Sequence, residues 1–388
     1  MTAIPTAEAG QVRAWATIDL SALQHNLQRV RELRPGSKIV AVIKANAYGH
    51  GSTEVAQAIC AMPDAADCLA VATIDELLAL QLLGTGKRLL LLSGFRTAEE
   101  LRFLVESGVE FEIHADYQLE LLKNWLRSNP HPSFAVWLSV DTGMHRLGFS
   151  PPDFAAALEF LCNCKKLRSL VIMSHLACAD AADSKSVVIT GRQIAQFSEL
   201  VNSARSLRDA RLEASLAASA GILGRSDLNF DYVRPGIMLY GGSPFASREA
   251  KALGLRPVMT LQSRLIAIND VAAGESVGYG ATFTCSRDSR VGVVAIGYGD
   301  GYPRAAANGT PVVVHTSAGA RQTGLLGRVS MDMITIDLTD LPDAQVGDAV
   351  ELWGNNLPVD VVARSAGTIS YELCCHVNRR VKFYYQQG

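Results

Sequence analysis

Short apolar runs alternate with amphipathic segments from residue 14 to about residue 240. The runs are rich in β-branched residues, which is typical of strands buried on both faces of a parallel sheet. Between them, apolar residues recur at helical spacing, and some of these segments open on a capping box such as Thr73-x-x-Glu76. The pattern predicts strands over residues 14–20, 39–43, 69–72, 89–93, 111–114, 134–140, 169–173 and 213–217.

This alternation predicts the fold class, an α/β chain that begins with a (β/α)8 barrel. About eight β-then-α units within about 230 residues favour a closed barrel over an open doubly wound sheet. No G-x-G-x-x-G motif follows the first strand, which argues against a dinucleotide-binding fold.

The pattern of apolar and polar residues changes after a glycine- and proline-rich stretch, residues 241–257, which we interpret as a linker. Short strands separated by glycine-rich turns then predict a smaller, mainly β domain with one late helix over residues 359–366. The strands are expected over residues 258–269, 291–296, 311–315, 333–338 and 349–352.

Composition narrows the function classes. A chain of 388 residues with 48% apolar residues is long enough for two well-packed domains. A net charge of −2 gives no electrostatic reason to expect nucleic acid or a membrane surface, and no apolar run approaches the roughly 18 residues of a spanning helix. Residues 1–10 lack the features of a signal peptide. The eight cysteines show no zinc-type spacing, so we expect no metal site and reduced thiols in a cytoplasmic enzyme.

Lys44 ends the most strongly apolar of the predicted strands. The local pattern leaves two interpretations open: the side chain turns outward to solvent, or it is a Schiff-base lysine in a desolvated site, where burial favours the neutral nucleophilic amine. Tyr48 and His50 lie in the same loop, and Gly49 and Gly51 permit close approach of a ligand to the backbone. These neighbours favour the interpretation of Lys44 as a Schiff-base lysine.

Other polar side chains follow predicted strands at the edge where a barrel carries its active site. Taken singly, each has a simple structural interpretation as a turn, a core histidine or a cap. Together, a lysine, two arginines, a histidine and a serine near a glycine backbone suit an anionic, carbonyl-bearing ligand. The groups are 141–146, 174–175, Ser219 and 234–236.

Eight motifs resemble those of bacterial alanine racemases, in order and along nearly the whole chain. They are KANAYGHG (44–51), DTGMHRLG (141–148), SHLACAD (174–180), YVRPGIMLYG (232–241), VGYGATF (277–283), GYGDGYPR (297–304), GRVSMDM (327–333) and TISYE (368–372). The resemblance implies pyridoxal 5′-phosphate held covalently by Lys44, alanine as substrate, and a homodimer with shared active sites. It implies a cofactor-binding barrel over residues 13–245, with residues 1–12 and 246–388 forming the β domain that reaches the partner's site. Whether the D-alanine supplies the cell wall or the enzyme serves alanine catabolism is left open.

The resemblance also implies a role for individual residues. The two catalytic bases would be Lys44 and, from the partner subunit, Tyr279. Arg146 would contact the cofactor's phenolic oxygen and the substrate carboxylate. Met331, which like Asp332 would come from the partner subunit, would also meet the substrate. Arg234 would face the pyridine nitrogen, with His175 behind it. The phosphate would be held by Tyr48, Ser219, Gly236, Ile237 and Tyr371. The entrance and the surrounding shell would be formed by Asp180, Tyr298, Arg304, Arg328, Asp332 and Ile369.

These residue types suit the inversion of an α-carbon, which needs one proton removed on one face and one returned on the other. An unperturbed tyrosine has a pKa of about 10, so Tyr279 needs help to act as a base, and we expect it from His175 tied to Arg234. Arginine stays protonated and cannot give the pyridine nitrogen a proton, so proton transfer is favoured over transamination.

The chain departs from the family pattern at two positions. Relatives commonly carry a carbamylated lysine where this chain has Ser139, and an asparagine where it has Ala218. Serine cannot supply the anion that the carbamate presents to Arg146, so we predict a small anion such as chloride, or ordered water, beside Ser139. Simple solvation of Arg146 is the other interpretation. Activity on other small amino acids, serine first, is compatible with this change.

Two further functions remain as alternatives. A decarboxylase of the same architecture is expected to place an acid at the pyridine nitrogen, and Arg234 argues against it. A non-catalytic cofactor carrier would need the barrel alone, and the residues from 258 onward argue against that.

Overall fold

A computed structural model describes residues 12–62, 65–129, 133–207 and 212–387. Our expectations for the first residues fall on residues 1–11, which lie outside these ranges. The described chain divides into two compact units. The barrel unit comprises residues 27–47 and 52–236, and the sheet unit comprises the rest of the described chain.

The described strands and helices follow the predicted alternation. In chain order the strands are β1 (Ala14–Asp19), β2 (Lys38–Val42), β3 (Cys68–Val71), β4 (Arg88–Leu91), β5 (Glu110–Ile113), β6 (Phe134–Ser139), β7 (Leu167–Met173), β8 (Glu213–Ala218), β9 (Tyr232–Arg234), β10 (Met259–Val271), β11 (Ser276–Val277), β12 (Phe283–Thr284), β13 (Ser289–Val294), β14 (Pro311–Thr316), β15 (Gly319–Leu326), β16 (Ile334–Asp337), β17 (Ala349–Trp353) and β18 (Lys382–Gln386). The helices are α1 (Leu20–Leu33), α2 (Lys44–Gly49), α3 (Ser52–Cys60), α4 (Ile74–Leu82), α5 (Ala98–Glu106), α6 (Asp116–Ser128), α7 (Pro151–Cys162), α8 (Ser184–Leu207), α9 (Ser219–Gly224), α10 (Val359–Ser365) and α11 (Ser370–His376).

Strands β2 to β9 close into a barrel in chain order, which confirms the predicted fold class. Neighbouring strands are parallel, and β2 closes the barrel by pairing with β9. Strands such as β3 and β6 are buried along their whole length, as continuous apolar runs predict. Helices between successive strands cover the outside of the barrel, so the carboxyl ends of all eight strands meet at one rim.

The barrel interior holds two polar layers, because residues two apart on a strand point to the same side. In the lower layer, Arg88 donates to both carboxylate oxygens of Glu110, at 2.5 Å and 2.8 Å. Trp137 donates to Glu110 at 2.8 Å, and Arg88 donates to the Tyr232 hydroxyl at 2.9 Å. The buried charges of this layer are therefore paired with each other. The second, or rim, layer lies two residues further along the same strands and is described with the site.

The sheet unit is built on a mixed sheet in the order β13-β16-β15-β14-β17-β10-β1-β18. Strand β10 pairs with β13 as well as with β17, which closes six of these strands into a ring. Buried aromatic residues, Trp353 and Tyr302 among them, fill its core. The smaller, mainly β domain is thus confirmed. The predicted late helix is α10, and a second late helix, α11, was not predicted.

One strand lies elsewhere than expected. We counted residues 14–20 as the first barrel strand, which is wrong: β1 pairs antiparallel with β10 and parallel with β18 in the sheet unit. A buried apolar run indicates burial on both faces but does not say in which sheet. The barrel instead obtains its eighth strand from β9, which at three residues is too short to stand out in the sequence. The predicted linker is also more ordered than its composition suggests, since Gly241–Ser243 are buried and the Val258 N–H donates to the Tyr240 carbonyl.

Candidate active site

The backbone that follows β2 is a left-handed turn. Residues Ala45 to Tyr48 have φ values of 52°, 54°, 54° and 53°. Such a conformation costs about 1–2 kcal/mol for each residue with a side chain, so the surroundings must hold it. In the barrel unit the Ala45 N–H donates to Glu76 at 2.6 Å, and the Asn46 side chain accepts from the Ser52 N–H at 2.9 Å. The turn fixes the half-buried Lys44 at the barrel rim.

Ser219 and Gly236 lie at the ends of the neighbouring strands β8 and β9. The Gly236 N–H donates to the Ser219 hydroxyl at 3.0 Å, and both residues are buried. Strand register explains this contact, because Ala218 pairs with Arg234. A hydroxyl and a backbone N–H at a rim are donors of the kind that bind a phosphate.

Arg234 belongs to the rim layer and is 5% exposed. Its guanidinium donates to the Ser215 hydroxyl at 2.5 Å and to the Ser174 carbonyl at 2.6 Å. We expected a direct contact between His175 and Arg234. The hydrogen bond of Arg234 goes instead to the backbone carbonyl of Ser174, the residue before His175. Burial lowers the pKa of Arg234 to about 10, so the side chain stays charged at neutral pH.

His175 is half-buried beside the same cations. Burial lowers its pKa to about 3, and the positive charges of Arg234, Arg146 and Lys44 act in the same direction. The imidazole is therefore neutral in the working range of pH and can accept a hydrogen bond.

This low pKa makes a prediction about acid stability. An unfolded histidine titrates near pH 6.5, so between about pH 6.5 and pH 3 the unfolded chain binds a proton that folded His175 does not. His175 therefore contributes a decrease in the free energy of unfolding as the pH is lowered through this window, so wild type should lose more stability over it than His175→Gln. Urea unfolding from about pH 8 to about pH 4 measures both slopes. His376→Gln, at an exposed position, is the control, and equal slopes for His175→Gln and wild type would contradict the prediction.

Glu112 is a site residue that sequence reasoning missed. Its carboxylate accepts a hydrogen bond from the Ser139 hydroxyl, and the residue is 4% exposed. Burial raises the pKa of Glu112 to about 7, while Ser139, Arg234, Arg146 and Lys44 each act to lower it. The structure places a protein carboxylate beside Ser139, while the small anion or water that we expected there stays a prediction. The available signal was the alternation Glu110-Phe-Glu112 at the start of the strand predicted over residues 111–114, which puts two acids on the inner face once the strand includes Glu110.

The loop after β6 presents Arg146. Asp141 accepts from the N–H groups of Gly143, Met144 and His145 at 2.8, 3.0 and 3.1 Å, which shapes the turn. Arg146 follows on the exposed side of this loop, close enough for its charge to act on Glu112 and His175. Asp180 lies exposed on the loop after β7.

In the sheet unit, three tyrosines that include two predicted phosphate ligands form one cluster. The Tyr48 ring lies 4.9 Å from that of Tyr240 and 6.0 Å from that of Tyr371, measured between centroids. Burial raises the pKa of Tyr48, so its hydroxyl stays protonated and can donate. Ile237 is fully buried and begins a short 3-10 turn.

Several other predicted site residues lie on exposed loops of the sheet unit. Tyr279 is 71% exposed on a short turn, and the Arg328 guanidinium lies against the neighbouring Gly280. The Tyr298 N–H donates to Ser330 and the Gly299 N–H to Met331, which brings these loops together. The remaining predicted residues are Arg304 and Ile369, both exposed, and Asp332, which pairs with Arg380.

Other kinds of site find no support in the described residues. These ranges contain no cluster of histidine, cysteine, aspartate or glutamate that could hold a metal ion. No described helix has the length and apolar character needed to cross a membrane. All eight cysteines are free thiols.

Comparisons with known proteins agree with this arrangement. Residues 18–244 match the family Alanine racemase, N-terminal domain, and residues 258–385 match Alanine racemase, C-terminal domain. An alanine racemase of Vibrio vulnificus is 47% identical over 96% of this chain and 99% of its own length. One of Pseudomonas taetrolens is 48% identical over 96% of this chain and 98% of its own.

Solved structures show the same likeness. A biosynthetic alanine racemase from Pseudomonas aeruginosa is 42% identical, with a TM-score of 0.89 over 97% of this chain and 100% of that one. An alanine racemase from Bartonella henselae, described with covalently bound pyridoxal phosphate, is 30% identical, with a TM-score of 0.81 over 97% of this chain and 100% of that one.

Proposed function

The chain belongs to the alanine racemase family, and we propose that it interconverts L-alanine and D-alanine with two bases, Lys44 and Tyr279 of a second copy. The observation that carries the proposal is the placement of Lys44. It stands at the end of a buried barrel strand, held by a strained turn, with the charges of Arg146, Arg234 and Glu112 around the same rim. A lysine so placed suits a covalent cofactor better than a solvent-exposed role.

The donors of the barrel rim fit pyridoxal 5′-phosphate. Lys44 would hold its carbonyl carbon, and the Ser219 hydroxyl and the backbone of Gly236 would serve its phosphate. Tyr48, Ile237 and Tyr371 remain predicted phosphate ligands. When bound, the cofactor delocalises the electron pair left on the α-carbon after a proton is removed.

The side chains of the protein then determine where protons go. Lys44, released when the substrate amine takes its place, would move a proton at the α-carbon on one face. Tyr279 would do so on the other, which inverts the centre. Arg146, on the loop after β6, would bind the substrate carboxylate as a guanidinium donor.

Arg234 and His175 would restrict the chemistry to proton exchange. Arg234 remains charged at neutral pH even though burial lowers its pKa, so it can donate a hydrogen bond to the pyridine nitrogen but does not transfer a proton to it. His175 is neutral because burial lowers its pKa, so it adds no further positive charge near Lys44.

We propose a homodimer in which Tyr279 completes the partner's site. Its 71% exposure is unusual for a large aromatic residue, and Met331 on the neighbouring loop is 53% exposed. An exposed aromatic and apolar face of this kind is typical of an interface. The free thiols suit a cytoplasmic location, and D-alanine for the cell wall is the use we propose for the product.

The test follows both the product and the α-proton. L-Alanine incubated with cofactor-loaded protein in heavy water should yield D-alanine that carries deuterium at the α-carbon, because the returning proton comes from an exchangeable side chain. Chiral chromatography with mass detection measures both. Serine in the same assay tests the wider substrate range. Absence of D-alanine from fully loaded protein would contradict the proposed reaction.

A further inference from the structure

The rim layer contains buried positive charge that needs an anion to balance it. Arg234 is 5% exposed, and both groups that accept from it in the described chain, the Ser215 hydroxyl and the Ser174 carbonyl, are neutral. Arg146 and Lys44 add two more cations within electrostatic reach of His175. Buried cations are retained only where an anion compensates them, because desolvation of an unpaired charge is costly.

Glu112 is placed to supply that anion. It lies on β5, beside Trp137 of β6 in the strand register, so that Ser139, two residues further along β6, shares its inward face. The Ser139 hydroxyl donates to the Glu112 carboxylate and thereby fixes its direction.

The surroundings of Glu112 are otherwise cationic or neutral. Arg234 from β9, Arg146 from the loop after β6 and Lys44 from the end of β2 all favour its charged form. Directly after its own strand, the ring of His114 lies 3.9 Å from the carboxylate, and burial lowers the pKa of that histidine, which keeps it neutral.

We propose that the Glu112 carboxylate, held by Ser139, is a positioning residue whose negative charge balances the guanidinium groups of Arg234 and Arg146 at the rim. It does from β5 what the family resemblance assigns to a carbamylated lysine at position 139, and it needs no carbon dioxide. The proposal rests on the proposed function, because Arg146 is taken there to bind the substrate carboxylate.

Glu112→Gln tests this by keeping the shape of the side chain and removing its charge. We expect kcat/KM for alanine to fall about tenfold to a hundredfold, mainly through KM, because the negative charge that balances Arg146 is lost. Wild-type kcat/KM should rise with pH around pH 7, where Glu112 ionises, and the variant should lack that rise.

A second readout needs no cofactor. The pKa of Glu112 is raised to about 7 in the folded chain and is about 4.3 in an unfolded one. Between these values the folded chain binds the extra proton, so Glu112 contributes a decline in the free energy of unfolding as pH rises through this window. Because His175 contributes a slope of opposite sign over part of the same range, the readout is a difference: in urea unfolding of the cofactor-free protein, the free energy of unfolding of wild type relative to that of Glu112→Gln should decline as pH rises through the window.

Two further variants separate positioning from folding. Glu110→Gln removes the buried acid of the lower layer, which pairs with Arg88, and it should cost stability while leaving the KM for alanine unchanged. In Glu112→Gln/Ser139→Lys, the new amine can add to carbon dioxide from bicarbonate and lose one proton, which gives a carbamate anion. Activity should then recover with bicarbonate in the double variant but not in Glu112→Gln alone.

The outcomes are distinct. Unchanged KM and pH profile in a folded Glu112→Gln would overturn the proposal and show that Arg146 is positioned by solvent alone. If Glu112→Gln does not fold, Ser139→Ala replaces it: the carboxylate stays but loses its fixing hydroxyl, and a severalfold rise in KM is expected, whereas no rise would overturn the proposal. Failure of the proposed function would instead appear as an inactive wild type.

Discussion

Replacing Lys44 by alanine is expected to abolish racemisation, by at least about a thousandfold, together with the covalent attachment of the cofactor. The residue has two proposed roles, as the point of attachment and as the base for one face of the α-carbon, and no neighbouring group can take over both. Racemisation is followed by chiral chromatography, and attachment by the visible absorbance of the lysine-bound cofactor, which borohydride removes.

Lys38 provides a matched control for this variant. It lies on the same strand, β2, and pairs with Glu213 at 2.5 Å in the lower part of the barrel. Lys38→Ala removes a lysine from the same strand without touching the rim, so attachment and activity should persist. A borohydride-reducible adduct that survives in Lys44→Ala would show that another amine holds the cofactor.

Tyr279→Phe is expected to lower racemisation by about 10²–10⁴-fold, the usual contribution of a positioned acid or base. The stronger result comes from hybrids. If each site combines Lys44 of one copy with Tyr279 of the other, a dimer of Lys44→Ala with Tyr279→Phe contains one intact site and one doubly defective site. Random reassembly makes half of the dimers hybrid, so the mixture should regain about a quarter of wild-type activity.

The hybrid needs its own checks. Two differently tagged variants, purified through both tags, give a verified hybrid population. Lys44→Ala reassembled with itself is the control for activity recovered by handling alone. A verified hybrid without activity would falsify the shared site and indicate that both bases come from one chain.

The barrel could be predicted from sequence because its strands are unusually uniform. Runs such as β3, buried at every position, have few structural alternatives once amphipathic helices separate them. Strand β1 was wrongly assigned to the barrel for the opposite reason: its buried residues fit the barrel and the mixed sheet equally well. Pairing with β10 and β18 depends on segments more than 200 residues away, which no local pattern reports.

The site was predictable where the chemistry is local and missed where it depends on strand register. Lys44 and Ser219 lie just after strands and Arg234 ends one, so their position in the chain places them at the rim. Glu112 and Ser139 are separated by 27 residues and meet only because β5 and β6 are parallel neighbours in one register. Knowing that Ser139 lacks a charge raised the question of an anion, but only the fold shows that the Glu112 carboxylate lies beside it.

The left-handed turn after β2 also limits which residues this part of the chain can accept during evolution. Ala45 and Asn46 are exposed, and at most exposed positions nearly any residue is acceptable. Here φ values of 52° and 54° reverse that rule, because β-branched side chains are strongly disfavoured while glycine, asparagine and aspartate are tolerated. Descendant sequences should therefore explore only a narrow set of residues at these two surface positions, for reasons of backbone geometry that would hold even if neither side chain touched a substrate.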